Sequence, residues 1–236
     1  MRNVTDAFRR FAAALAVAAS VWVLFVASAQ GQDDQPAWPD TFVARLEALA
    51  LMQTLNAELL ASRSATVSLE DWCRDHRLAA VPEIHADLMP ATSHAPTAEQ
   101  RQRLAVTQAE TVRYRRVHLR CGARVLSDAE NWYVPGRLTP DMNRLLESTD
   151  TPFGRAVAAL DPYRRTFAVT MLWAPLGRGW EDGSTRIPSA AAGALSMPDA
   201  LFEHRAVLYS RDHVPFAEVR EVYQRHLLAF APRLPN

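Results

Sequence analysis

Residues 112–134 read VRYRRVHLRCGARVLSDAENWYV. From Val112 to Cys121 the residues alternate. One parity carries Val112, Tyr114, Arg116, His118 and Arg120; the other carries Arg113, Arg115, Val117, Leu119 and Cys121. A side-chain period of two is that of a β-strand. Gly122 turns the chain, and Val125 to Val134 supplies the returning strand of an antiparallel hairpin. Neither parity of the first strand is cleanly polar, so at least one of its arginines is expected to point inward. The favoured alternative is a solvated basic edge that blunts pairing with other strands.

Three more strands lie downstream: Phe167 to Trp173, Arg205 to Ser210, and Pro215 to Tyr223, with His213 in the last turn. On the closing strand Ala217, Val219, Glu221 and Tyr223 share a face, and Phe216, Glu218, Arg220 and Val222 share the other. Glu221 is the one charge in an apolar set. A carboxylate there must be paired or protonated. A functional acid and a structural ion pair with a core arginine both satisfy that need.

Upstream, the spacing of Leu46, Leu49, Ala50, Leu55 and Leu59 predicts a helix from Phe42 to about Leu60, capped by Asp40. Thr66-Val67-Ser68 reads as extended, with Ser68 heading a second helix to about Leu78. Pro82 to Pro96 is a loop rich in Pro, Ser and Thr, and Thr97 with Gln100 opens a short helix. Thr139-Pro140 starts another, with Met142, Leu145 and Leu146 as its apolar face. Gly177 to Pro198, rich in Gly, Ser and Ala, has the composition of a lid. Helices followed by hairpin strands predict an α+β fold: an antiparallel sheet with helices packed on one side.

The 236 residues are 49% apolar and 22% charged, a globular composition. The 26 basic residues balance 26 acidic ones, so no global field draws the chain to nucleic acid. All the basic residues are arginine. The absence of lysine excludes Schiff-base chemistry and a P-loop lysine.

Residues 1–29 read as a secretory signal: Arg2, Arg9 and Arg10, an uncharged apolar run from Phe11 to Val26, then Ala27-Ser28-Ala29 as the cleavage pattern. An uncleaved membrane anchor over residues 11–29 is the alternative, and the only route to a membrane partner. Either places the folded part outside the cytoplasm, periplasmic or secreted. Cleavage removes three Arg and one Asp from a balanced chain, which leaves a net charge of −2. Residues 30–40 read as a linker and 41–236 as one domain. Cys73 and Cys121 both lie in that domain. Two buried, unpaired thiols are the preferred reading in a core this large, and an oxidising compartment permits a disulfide instead.

Standard catalytic patterns are absent: no G-x-S-x-G, H-E-x-x-H, C-x-x-C or Walker A sequence occurs. The seven histidines are scattered, and no metal site is expected from their spacing.

The chain resembles the chorismate lyase (chorismate pyruvate-lyase) family over roughly residues 42–232. Thr66-Val67-Ser68 leads into a helix, and the strand ending Arg115-Arg116-Val117-His118-Leu119-Arg120-Cys121 is followed by one closing at Val134-Pro135. Then come Thr151-Pro152-Phe153-Gly154-Arg155, Arg165-Thr166-Phe167, and Pro215-Phe216-Ala217 running to Glu221-Val222-Tyr223. The T-P-[FL]-G-R block is the most specific of these.

The resemblance implies a chorismate lyase-like fold, shared with the ligand-sensing domain of a group of bacterial regulators. It also implies cofactor-free elimination of pyruvate from chorismate, or a related molecule, to leave 4-hydroxybenzoate. In that reading Arg116 clamps the ring carboxylate, and Arg155 or Arg165 takes the enolpyruvyl carboxylate. Glu221 serves as acid or base at the leaving oxygen, with Glu218 as its rival. Family enzymes act in the cytoplasm, so an exported, non-catalytic binding protein for a small aromatic or pre-aromatic carboxylate is the alternative.

Overall fold

The computed structural model describes residues 37–90, 93–184 and 193–230. The signal segment and residues 30–36 lie outside these. The end of the expected linker belongs to the domain instead. Trp38 is buried and donates its indole N–H to the Leu228 carbonyl at 3.0 Å, and Asp40 N–H bonds Gly193 O.

Helix α1 (Phe42–Ala61) starts at the residue the sequence suggests, with a different cap. Thr41, not Asp40, caps it by accepting from Ala44 N–H, while Asp40 forms an ion pair with Arg45 at 2.6 Å. Helix α2 (Ala65–Asp75) corrects the expectation of an extended Thr66-Val67-Ser68, which forms its first turn. Strand β1 (Ile84–Leu88) falls inside the expected loop. It alternates buried Ile84 and Ala86 with His85 and Asp87.

Helix α3 (Ala98–Arg103) has the predicted capping box, Thr97 and Gln100 each bonding the other's backbone N–H. Strands β2 (Arg113–Cys121) and β3 (Arg124–Tyr133) form the predicted hairpin. Gly122 turns it at φ +56°, and a Cβ there would sit 2.9 Å from that of Ala79, so two constraints select glycine. Helices α4 (Pro140–Ser148) and α5 (Phe153–Ala156) precede β4 (Tyr163–Met171), β5 (Ala200–Tyr209) and β6 (Pro215–Gln224).

The strands form one antiparallel sheet in the order β1-β2-β3-β6-β5-β4. Register sorts its side chains into two faces. On the first, one cross-strand rung is Arg115, Asn131, Val219 and Ala206, and the next is Val117, Ala129, Glu221 and His204. Helices α1, α2, α4 and α5 cover this face: Asn56 of α1 bonds His204, and the Leu146 carbonyl of α4 bonds Arg115. The reverse face carries the rung Arg116, Glu130, Arg220 and Arg205, and the six-residue α3 packs there through Arg103. Cys73 and Cys121 correct the preference for free thiols. Both are fully buried and bonded to each other, joining α2 to the end of β2.

A buried ion pair at an inner cavity

Between the helix-covered face and the turn from α5 to β4 lies an inner cavity of about 40 Å³. Val117, Phe153, Leu208 and Val219 give it apolar walls, and Asn131, Arg164 and Glu221 its polar ones. A wider vestibule of about 290 Å³ adjoins it, sharing Arg63, Ser64, Thr66, Gly154 and Pro162. Gly154 marks the constriction. A Cβ there would meet the Ser64 hydroxyl at 2.9 Å and the Thr66 hydroxyl at 3.0 Å. The T-P-F-G-R block is therefore placed where chain and hydroxyls come closest.

Glu221 faces the cavity, as strand parity requires. Its carboxylate accepts from Arg164 Nη2 at 2.8 Å and from the Tyr223 hydroxyl at 3.1 Å. The core arginine anticipated for it is Arg164. Their side chains are 4% and 9% exposed, so neither charge is hydrated and each depends on the other. Burial alone would lower the Arg164 pKa, but the Glu221 carboxylate and the Tyr223 oxygen raise it above its ordinary value. Burial, then Glu221, push the Tyr223 hydroxyl well above its own, so it stays protonated and donates.

Two donors in the cavity wall have no partner: Arg164 Nε and Asn131 Nδ2. An unsatisfied buried donor costs about 1–3 kcal/mol. Both belong to residues of the cavity wall, and together they make the candidate cradle for an acceptor.

His204 sits opposite Glu221 in the register and is fully buried, with Nε2 2.8 Å from Asn56 Oδ1 and Nδ1 unpartnered. Burial, then the nearby Arg164 charge, push its pKa from 6.5 down to about 4. The unfolded chain therefore takes up a proton below pH 6.5 that the folded chain refuses until about pH 4. The His204 share of stability should fall across that window, by on the order of 3 kcal/mol, and level off below it. Urea titrations at pH 7, 5.5 and 4 check this, and His204→Gln should flatten the curve.

The other expected site residues are placed elsewhere. Arg116 lies on the reverse face from Glu221, half-exposed, and grips Asp128 through Nε at 2.9 Å. The proposed Arg116–Glu221 cavity is thereby corrected. The inward arginine of that strand is Arg115, 5% exposed, which shares its parity with Val117, Leu119 and Cys121. That mostly apolar set is the sequence signal that could have found it.

Arg165 is exposed and lies opposite Val207 on the reverse face, away from the cavity. Arg155 lines the vestibule, held by Glu70 and by Glu83 at 2.8 Å. Glu218 lies on the reverse face in a bidentate pair with Arg103, at 2.7 and 3.0 Å, which removes it as a rival. None of the described residues of the expected lid lines the cavity or the vestibule. Residues 185–192 of that stretch lie outside the described residues, while Leu195 packs into the core beside Trp38. Among the described residues no group of three or more His, Cys, Asp or Glu is arranged to hold a metal.

No family model matches the chain. It is 44% identical over 214 residues to the protein y4mC of Sinorhizobium fredii, described as uncharacterized, covering 88% of each. Among solved structures it resembles PhnF from Mycobacterium smegmatis, with TM-score 0.45, 12% identity, and coverage of 75% of this chain and 71% of that one. The effector domain of PhnF gives TM-score 0.44 and 12% identity, over 73% and 95% of the two chains. The ligand-binding domain of a putative GntR-family regulator from Bordetella bronchiseptica gives TM-score 0.38 and 13% identity, over 60% and 82%. Likenesses this distant assign no function.

Proposed function

Because the chain belongs to the same family as y4mC of Sinorhizobium fredii, and that relative brings no activity with it, we propose a function from the cavity alone. The protein is a binding protein for a small carboxylic acid, aromatic or pre-aromatic, working outside the cytoplasm. The carrying observation is the pair of unpartnered donors, Arg164 Nε and Asn131 Nδ2, in one largely apolar cavity. A carboxylate offers two acceptor oxygens to match them. At about 40 Å³ the cavity holds the acid head only, and the remainder of the ligand occupies the vestibule. The disulfide supports the compartment, since such bonds persist where thiols are oxidised.

A lyase acting on chorismate is the second reading, favoured by Glu221 facing the cavity. It is the weaker one. Glu221 is already engaged by Arg164 and Tyr223, and Arg116 stands on the opposite face.

Calorimetry of the purified protein with 4-hydroxybenzoate, beside incubation with chorismate and detection of any 4-hydroxybenzoate formed, separates the two. Binding without turnover is expected. Asn131→Ala should weaken binding by about 1.5–3 kcal/mol, the worth of one buried hydrogen bond to a charged group. Unchanged affinity in that variant would remove the cavity from the account, and turnover would restore the lyase.

A further inference from the structure

Among the described residues, Arg115 is the one deeply buried cation whose hydrogen bonds reach no carboxylate. Its Nε donates to the Leu146 carbonyl at 2.9 Å and its Nη2 to the Thr151 carbonyl at 3.0 Å, around the C-terminal end of α4. Its Nη1 has no partner. Burial pushes its pKa down to about 10, so it remains charged at neutral pH. A buried charge is strongly unfavourable without an opposite one. Helix-end carbonyls offset part of that cost.

Arg115 also helps line a cleft of about 410 Å³, whose walls include Val112, Arg113, Tyr133, Leu146 and Glu147. The inner cavity, lined by Asn131, is separate. Arg113 and Arg116 line the cleft too, but each is spoken for. Arg113 pairs with Glu147 and Arg116 with Asp128. Three guanidinium groups against one lining carboxylate leave the cleft positive, with the unmatched charge at Arg115. Val112, Leu146 and the rings of Tyr114 and Tyr133 supply apolar surface beside it.

We propose that this cleft is a second ligand site, which takes a small organic oxyanion, a carboxylate or a phosphate monoester, against Arg115. The two backbone contacts fix the guanidinium before the ligand arrives, so little freedom is lost on binding. The apolar wall selects an anion that carries a hydrocarbon or aromatic group. Arg113 stands partly exposed and is partly neutralised by Glu147, which therefore competes with the ligand.

The test uses full-length protein carrying Asn131→Ala, which weakens the inner cavity, titrated calorimetrically with inorganic phosphate, phenyl phosphate and benzoate. Any binding left at the inner cavity is told apart because Arg113 and Glu147 line the cleft and not that cavity. Saturable binding of phenyl phosphate or benzoate is expected, and the tighter of the two identifies the anion. Glu147→Gln should tighten it several-fold and Arg113→Gln weaken it several-fold. Both substitutions are at exposed side chains, so both variants should fold. Arg115→Gln should abolish binding; if that variant fails to fold, the opposed shifts of the other two decide. Absence of binding by all three probes, binding of inorganic phosphate alone, or affinities that ignore Arg113 and Glu147 would each overturn the site and leave Arg115 as a helix-end clamp only.

Discussion

Arg164→Met should destabilise the domain by roughly 3–5 kcal/mol, the loss expected when one partner of a buried ion pair is removed. The reason is the charge left behind more than the bond lost. Glu221 is 9% exposed at its side chain, and its remaining described donor is the Tyr223 hydroxyl. For a domain of this size the shift in Tm is on the order of 10 °C. The double variant Arg164→Met, Glu221→Leu removes both charges and should recover most of that stability, because well-packed apolar side chains replace buried pairs at little cost. Ligand binding should behave differently. The double variant has lost a donor of the cradle and should bind 4-hydroxybenzoate no better than Arg164→Met alone. Urea unfolding and calorimetry on the same three proteins test both statements. A double variant as unstable as the single one would mean that packing around the Arg164 stem, and not charge, holds this region together.

Breaking the disulfide should have a comparable effect. Cys73 and Cys121 are separated by 48 residues, and closing a loop of that length restricts the unfolded chain by about 4 kcal/mol on the chain-entropy account. Cys73→Ala with Cys121→Ala is the suitable pair, since both positions are fully buried and serine would bring in two hydroxyl groups. The variant should lose roughly 2–5 kcal/mol in urea, and reductant should lower the Tm of the parent protein without moving that of the variant. Equal Tm values for the parent with and without reductant, once the bond is shown to be reduced, would contradict this.

The hairpin of β2 and β3 was legible because it is local: two alternating runs joined by a glycine with positive φ. The helices were legible for the same reason, α1 through its period and α3 and α4 through their caps. What escaped was tertiary. Strand β1 exists because Ile84 to Leu88 pairs with residues 117–121, far along the chain, and its local Pro, Ser and Thr content says loop. Choosing between Arg115 and Arg116 required knowing which parity of β2 faces the helices, and two adjacent arginines look alike in sequence. Arg164 was missed because a bulge between Thr166 and Ala168 shifts the alternation of β4, and because the strand begins four residues before Phe167. Glu221 was readable as a buried charge; its partner was not, since the two are joined only once β4, β5 and β6 lie side by side.

That arrangement also sets the order in which the chain can fold. Strand β6 is the last of the described strands in sequence yet sits between β3 and β5, so it bonds to both halves of the sheet. Before residues 215–224 have been synthesised, the emerging chain has one three-stranded half, one two-stranded half and no ladder between them. Each half then offers an unpaired edge, at β3 and at β5, to any other strand within reach. The nascent protein therefore remains open to chaperones and proteases until β6 is made, and a truncation that removes it leaves one chain whose two sheet halves share no ladder and each keep an open edge.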